Sequence, residues 1–191
     1  MFDNKNSQKK DISFSETLSN ISADNLARIK HLGQKPTFVN KFFSYLWPTM
    51  TATIFYRLSH YFYRKNLEIM SFVFFELNVI FFGCDIDACS EIGKGFVLVH
   101  VGGTAVRAKI GENVIVFGQA AIGSNGTGSF DEGWFGGPEI GDKCIIGFRA
   151  MILGPISLGS NVFVKAGTLV TKSVPDNSTV GGVPARIAER K

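Results

Sequence analysis

The chain has 191 residues, 45% hydrophobic and 19% charged, which is enough apolar material for a core and excludes global disorder. Its 20 basic and 16 acidic side chains give a net charge of +4, too mild to mark a nucleic-acid protein. The length fits one domain, or one domain with a small extension.

Taken from its start, the chain opens on a polar segment, 1–20, expected to be a flexible N-terminus, with no apolar stretch of the signal-peptide kind. A helical region is expected over 21–82. Ser22, Ala23 and Asp24 can cap a short helix through Lys30, and Pro36-Thr37 offers a second start before Pro48. From Thr51 to Lys65 the residues Ile54, Phe55, Leu58, Tyr61 and Phe62 form one helical stripe. A Phe-rich helix, Leu67 to Phe82, follows. It is apolar nearly all round, yet Glu76 interrupts it and it falls short of the ~20 residues a membrane span needs. Such a helix is expected to pack on both sides or to lie in a subunit interface. Cys84, Cys89 and Cys144 form no CxxC pair, so a reduced, cytoplasmic setting is the expectation.

Composition changes abruptly at Gly83. Only one of the 21 glycines precedes it, and 12 of the 18 phenylalanines do. Beyond it a branched aliphatic residue returns every six positions: Ile86, Ile92, Leu98, then Ile110, Val116, Ile122, and again Ile140, Ile146, Ile152, Leu158, Val164, Val170. Thr104 occupies the one slot of this frame without a large aliphatic. Glycine follows the slot at 93, 111, 123, 141, 147 and 159, where a corner needs either positive φ or no Cβ. A six-residue period fits neither a helix nor a plain strand. It is the mark of a parallel β-solenoid, with three units closing one triangular coil. The expected fold is therefore mainly β: a hexapeptide solenoid over 83–175, with an excursion loop at 124–138 and a C-terminal tail at 176–191.

This frame, with Gly-Val-Pro-Ala-Arg-Ile at 182–187, resembles the hexapeptide-repeat acyltransferases, and within them serine O-acetyltransferase, from about Tyr56 to Ile187. The resemblance implies a left-handed parallel β-helix, against the usual crossover hand. It further implies a homotrimer or dimer of trimers, with acetyl-CoA as co-substrate in the groove between neighbouring solenoids, and no metal. His100, the one histidine of the solenoid, stands in Leu98-Val99-His100 where the family has its catalytic Leu-Asp-His, and would be the general base. Asp85, 15 residues earlier, matches the family's orienting carboxylate. Backbone amides of Gly147, Phe148, Ala166 and Gly167 would line the pantetheine arm, with Phe148 where the family usually has a small residue. Lys172 would reach the nucleotide phosphates. The oxyanion would sit near the amides of Gly123 or Ser124.

Two departures bear on the acceptor. Val99 replaces the family's Asp, and Gly136-Gly137 replaces its Arg-His pair, so both matched positions for a zwitterion's charges are uncharged. The excursion offers Asn125, Asp131 and Trp134, polar and aromatic side chains of the kind that suit a sugar ring. The expected function is O-acetylation of a sugar or surface-polysaccharide hydroxyl. Genuine serine O-acetylation and a non-catalytic scaffold are the alternatives. No nucleic-acid partner is expected, and the net-basic helices are compatible with peripheral contact at the inner face of an anionic membrane.

Overall fold

The computed structural model describes residues 11–126 and 137–188. Within these residues four helices come first: α1 (Phe14–His31), α2 (Phe38–Tyr45), α3 (Pro48–Arg64) and α4 (Glu68–Phe82). The first begins before the expected cap because Ser13, rather than Ser22, is the N-cap, its Oγ accepting from the Glu16 amide at 3.0 Å. Residues 14–20 are thus helical rather than part of a flexible start. Thr37 caps α2 in the same way, and α3 starts on Pro48 at its first turn, where a missing N–H costs nothing. Gly83, at φ 60°, closes α4 in the left-handed conformation that glycine adopts freely.

Among the described residues fifteen short strands follow. The first coil holds β1 (Cys84–Ile86), β2 (Glu91–Ile92) and β3 (Val97–Leu98), and the second β4 (Thr104–Val106), β5 (Lys109–Ile110) and β6 (Ile115–Val116). The third holds β7 (Ala121–Gly123), β8 (Glu139–Ile140) and β9 (Ile145–Ile146), and the fourth β10 (Met151–Leu153), β11 (Ser157–Leu158) and β12 (Phe163–Val164). The last holds β13 (Leu169–Val170) and β14 (Thr179–Gly181), with β15 (Arg186–Ala188) folding back antiparallel on β14. The strands stack into three faces, β1-β4-β7-β10-β13, β2-β5-β8-β11 and β3-β6-β9-β12-β14-β15, parallel except for that last pair. The solenoid therefore runs past residue 175, because Val174 bridges Leu158 and Val180 pairs with Val164.

Inside the prism each face contributes one buried aliphatic column, and here the sequence frame needs one change. Ile86 pairs with Val106, and Val106 with Ile122, so Val106 and not Thr104 fills the axis. The corner 99–103 carries two extra residues, and the stretch to Ile110 is two shorter. Gly102 and Gly103, at φ 90° and 71°, make this longer corner possible, and their amides donate to the carbonyls of Phe82 and Gly83 at 2.8 Å. The structure also decides why glycine follows the slot. At Gly93, Gly111, Gly141 and Gly147 a Cβ would stand 2.9 Å or less from backbone of the next coil, so the lack of a side chain is what matters. Positive φ falls instead on Asn113, Lys143, Asn161 and Asn177.

The helices are tied to the first coil by buried polar groups. Arg57 of α3 forms a two-pronged ion pair with Asp24 of α1, at 2.9 and 3.1 Å, and also donates to the Ile92 and Gly93 carbonyls. Asp24 in turn accepts from the Phe96 amide at 2.9 Å. The buried Tyr56 hydroxyl donates to the Ser90 carbonyl at 2.8 Å. Helix α4 lies on α3 through small buried serines, Ser59 and Ser71, and through Asn78, whose amide donates to the Ala52 carbonyl. Among the described residues all three cysteines are free, and no helix is long and apolar enough to cross a membrane.

His60 of α3 makes this junction sensitive to acid. Its Nδ1 donates to the Ala88 carbonyl at 2.8 Å. Burial pushes the imidazole down to about 4; nearby Arg64 and Arg57 add to this, while the Ala88 carbonyl and Glu91 oppose it. Because the folded chain binds this proton less readily than the unfolded chain, its contribution is complete above the ordinary histidine value. That contribution fades as pH falls from about 6.5 toward 4, a loss of roughly 2–3 kcal/mol. Thermal melts between pH 7.5 and 4.5 should show this acid limb, and His60→Gln should flatten it; identical limbs in the two proteins would assign the loss to other groups.

Candidate functional site

His100 lies on the long corner between β3 and β4, exposed to solvent. The corners stack in register. Val99 donates to the Val116 carbonyl, Phe117 to Ile146 and Gly147 to Val164, so His100, Gly118, Phe148 and Ala166 form one column. Gly118 is decisive in it. A Cβ there would stand 2.7 Å from the His100 Cβ and 3.5 Å from the Phe148 ring. With no side chain in that layer, the Phe148 ring meets the imidazole edge-on across it, at 6.3 Å between centroids. Phe117 sits 6.4 Å from His100 on another side and is itself flanked by His31, at the end of α1, at 6.2 Å. Phe117 and Gly118 escaped the sequence reading, although the layering 100/118/148 could have exposed them once the excursion was removed from the count.

Beside this column Arg149 donates to the Gln119 side chain at 2.6 Å, and its guanidinium lies 5.5 Å from the centre of the Phe148 ring. Both Gln119 and Arg149 adopt positive φ. Thr104, displaced from the axis, accepts from the Gln119 amide at 3.1 Å and so pins the corner. The result is an accessible imidazole with two aromatic walls and a cation nearby. An imidazole so placed can take a proton from a hydroxyl.

The other expected residues fall into two groups. Gly147, Phe148, Ala166 and Gly167 share the His100 corner. Two of those four amides are already used inside the solenoid, however: Gly147 donates to the Val164 carbonyl and Gly167 to Phe148, both at 2.8 Å. They cannot also serve a ligand. Gly123, Ser124, Asn125 and the exposed Lys172 lie at the next corner, beyond β7 and β13. That corner is roughly 16 Å from the His100 column along a strand rising ~3.3 Å per residue. Asn125 packs over Gly154, whose amide donates to the Gly123 carbonyl at 2.9 Å. Asp131 and Trp134, with Gly136, lie outside the described residues.

Asp85 stands in the middle of β1 with its side chain on the outer face, paired in register with Ala105. Partial burial raises its pKa, as do Asp87 and Glu76, against the pull of Arg107. Among the described residues no hydrogen bond or ion pair joins it to His100, whose ring contacts are the two phenylalanines. The same residues hold no cluster of metal-ligating side chains. A separate groove of about 890 Å³ lies between α1, α3 and the β2-β5-β8-β11 face, lined by Arg57, His60, Glu91 and Lys109. It contains none of the expected site residues.

Known proteins agree with this architecture. Residues 137–172 match the family model described as bacterial transferase hexapeptide (six repeats). A serine acetyltransferase of Bacillus pumilus is 34% identical over 134 residues, covering 69% of this chain and 60% of that protein. The crystal structure of the Neisseria gonorrhoeae serine acetyltransferase superimposes with a TM-score of 0.81 at 29% identity, over 93% of this chain and 68% of that one. The same enzyme solved in complex with serine gives 0.80 at 27%, over 92% and 70%. The chain thus spans about 60% of the length of the curated Bacillus relative. It is a hexapeptide-repeat chain that resembles serine O-acetyltransferase in sequence and in fold.

Proposed function

We propose that this chain moves an acetyl group from acetyl-CoA to a hydroxyl, with His100 as general base and a serine-type small molecule as acceptor. The observation that carries the reading is the exposed imidazole at the long corner, set against Phe117 and Phe148 in the matched Leu-Val-His segment. The relatives named for acetylating serine support this acceptor over the sugar expected from the sequence alone. As the hydroxyl oxygen attacks the thioester carbonyl, His100 takes its proton and then returns one to the departing thiolate. Phe148 and Ala166 keep their places along the pantetheine arm, while Gly147 and Gly167 act as packing positions. Lys172 and the Gly123-Ser124 amides belong to the next corner, so their participation requires a neighbouring solenoid. This is the reason to propose a homotrimer, or a pair of trimers, with the site shared between copies.

A sugar hydroxyl is the second reading, favoured by Val99 and by Gly136-Gly137, which leave a zwitterion without the charges at those positions. Losing a charged hydrogen bond at each end removes on the scale of ~1.5–3 kcal/mol apiece, so a millimolar or higher KM for L-serine is the expected result. The test is kcat/KM by free-thiol release with L-serine and with a panel of sugars and oligosaccharides. Turnover of L-serine supports the serine reading. A sugar preferred by orders of magnitude replaces it with the second, and no release on any acceptor leaves the scaffold.

A further inference from the structure

We propose that the surface around α2 is a docking face for an anionic lipid bilayer, which the chain meets without crossing. Phe38, Val39, Phe42, Phe43, Leu46 and Trp47 are all exposed there, Phe38 at 84%. A contiguous apolar patch of this kind on a folded chain marks an interaction surface. Its charge selects the occupant. Residues 25–67 contain seven Lys and Arg and no Asp or Glu, and two of these, Arg64 and Lys65 at the far end of α3, pair with Glu91 and Asp11 away from the patch. Two of the seven, Arg28 and Arg57, are buried, while Lys30, Lys35 and Lys41 are exposed around the apolar patch. Trp47, 58% exposed, stands at the patch edge with the Arg28 guanidinium over its ring at 5.4 Å, and an indole at the border of apolar and basic surface suits the headgroup level. An apolar face ringed by lysines is the composition of a helix that lies in the interface plane of an acidic bilayer.

The exposed face of α4 is different. Ile69, Phe72, Ile80 and Phe81 are open there, but α4 carries Glu68 and Glu76 and no basic residue. That face suits a second copy of the chain, and the contrast argues against one kind of partner covering both surfaces.

The experiment uses the full chain and vesicles of phosphatidylcholine, alone or with roughly a third phosphatidylglycerol, in a sedimentation assay. The chain should sediment with the anionic vesicles at low salt, stay in solution with the neutral ones, and be released as salt rises. Removing the three lysines together, K30Q/K35Q/K41Q, should weaken binding about 100-fold, from roughly a factor of five per lysine near an anionic surface. These side chains are exposed, so this variant tests the face without hollowing the core. F38S/F42S should weaken binding by at least ~10-fold while light-scattering mass and thiol release stay as in the parent. No binding to anionic vesicles, or equal binding to neutral ones, would overturn the proposal. So would a drop in mass for F38S/F42S in the absence of lipid, which would give the face to a second copy.

Discussion

His100→Ala should lower acetyl-transfer turnover by at least ~100-fold with little change in affinity for acetyl-CoA. The size follows from its proposed role: among the described residues stacked with it, Gly118, Phe148 and Ala166 carry no side chain that can take the hydroxyl proton. On the proposed reading the affinity should persist, because donor contacts would spread along Phe148, Ala166 and the next corner rather than fall on the imidazole. Asp85→Asn should cost less, since Asp85 shares no hydrogen bond with His100 and its charge acts from the outer face of β1. Steady-state kinetics of both variants, with acetyl-CoA affinity measured separately, check the ordering. An active His100→Ala enzyme would remove His100 from the chemistry, and an equal loss in Asp85→Asn would give Asp85 a role this geometry does not explain.

The second large effect concerns stability. Arg57→Ala should destabilise the chain by about 3–5 kcal/mol, because it leaves the Asp24 carboxylate buried without its partner. The same change abandons the Ile92 and Gly93 carbonyls that Arg57 also serves. Replacing Asp24 and Arg57 together with apolar residues of similar volume should recover much of the loss, since an uncompensated charge is worse than no charge. Urea unfolding of the two proteins measures this. A single variant as stable as the parent would show that the helices are held to the solenoid by apolar packing alone.

The solenoid was legible because its period is local: one aliphatic residue every six positions specifies an axis wherever it occurs. The Val106 column was hidden for the same reason. The two residues gained at 99–103 are returned before Ile110, so the frame on either side is unchanged, and only the Gly102-Gly103 pair hinted at a longer corner. His100 could be singled out as the lone histidine of the repeat. Its contact with Phe148 passes through Gly118 and could be read only by counting layers across the excursion that interrupts the repeat. The Asp24–Arg57 pair joins residues 33 apart in sequence, and nothing in an amphipathic stripe shows which polar residue turns inward. The six-residue period also left open how the cofactor and oxyanion residues are shared around the prism, which divides them between two corners.

The most direct measurement follows an isotope-labelled acetyl group from acetyl-CoA in the presence of L-serine, with product identity read by mass spectrometry. The proposed mechanism puts the label on the serine oxygen, releases one free CoA per acetyl transferred, and gives neither product with His100→Ala. Label retained on CoA, or released as acetate with no acetylated acceptor, would contradict it.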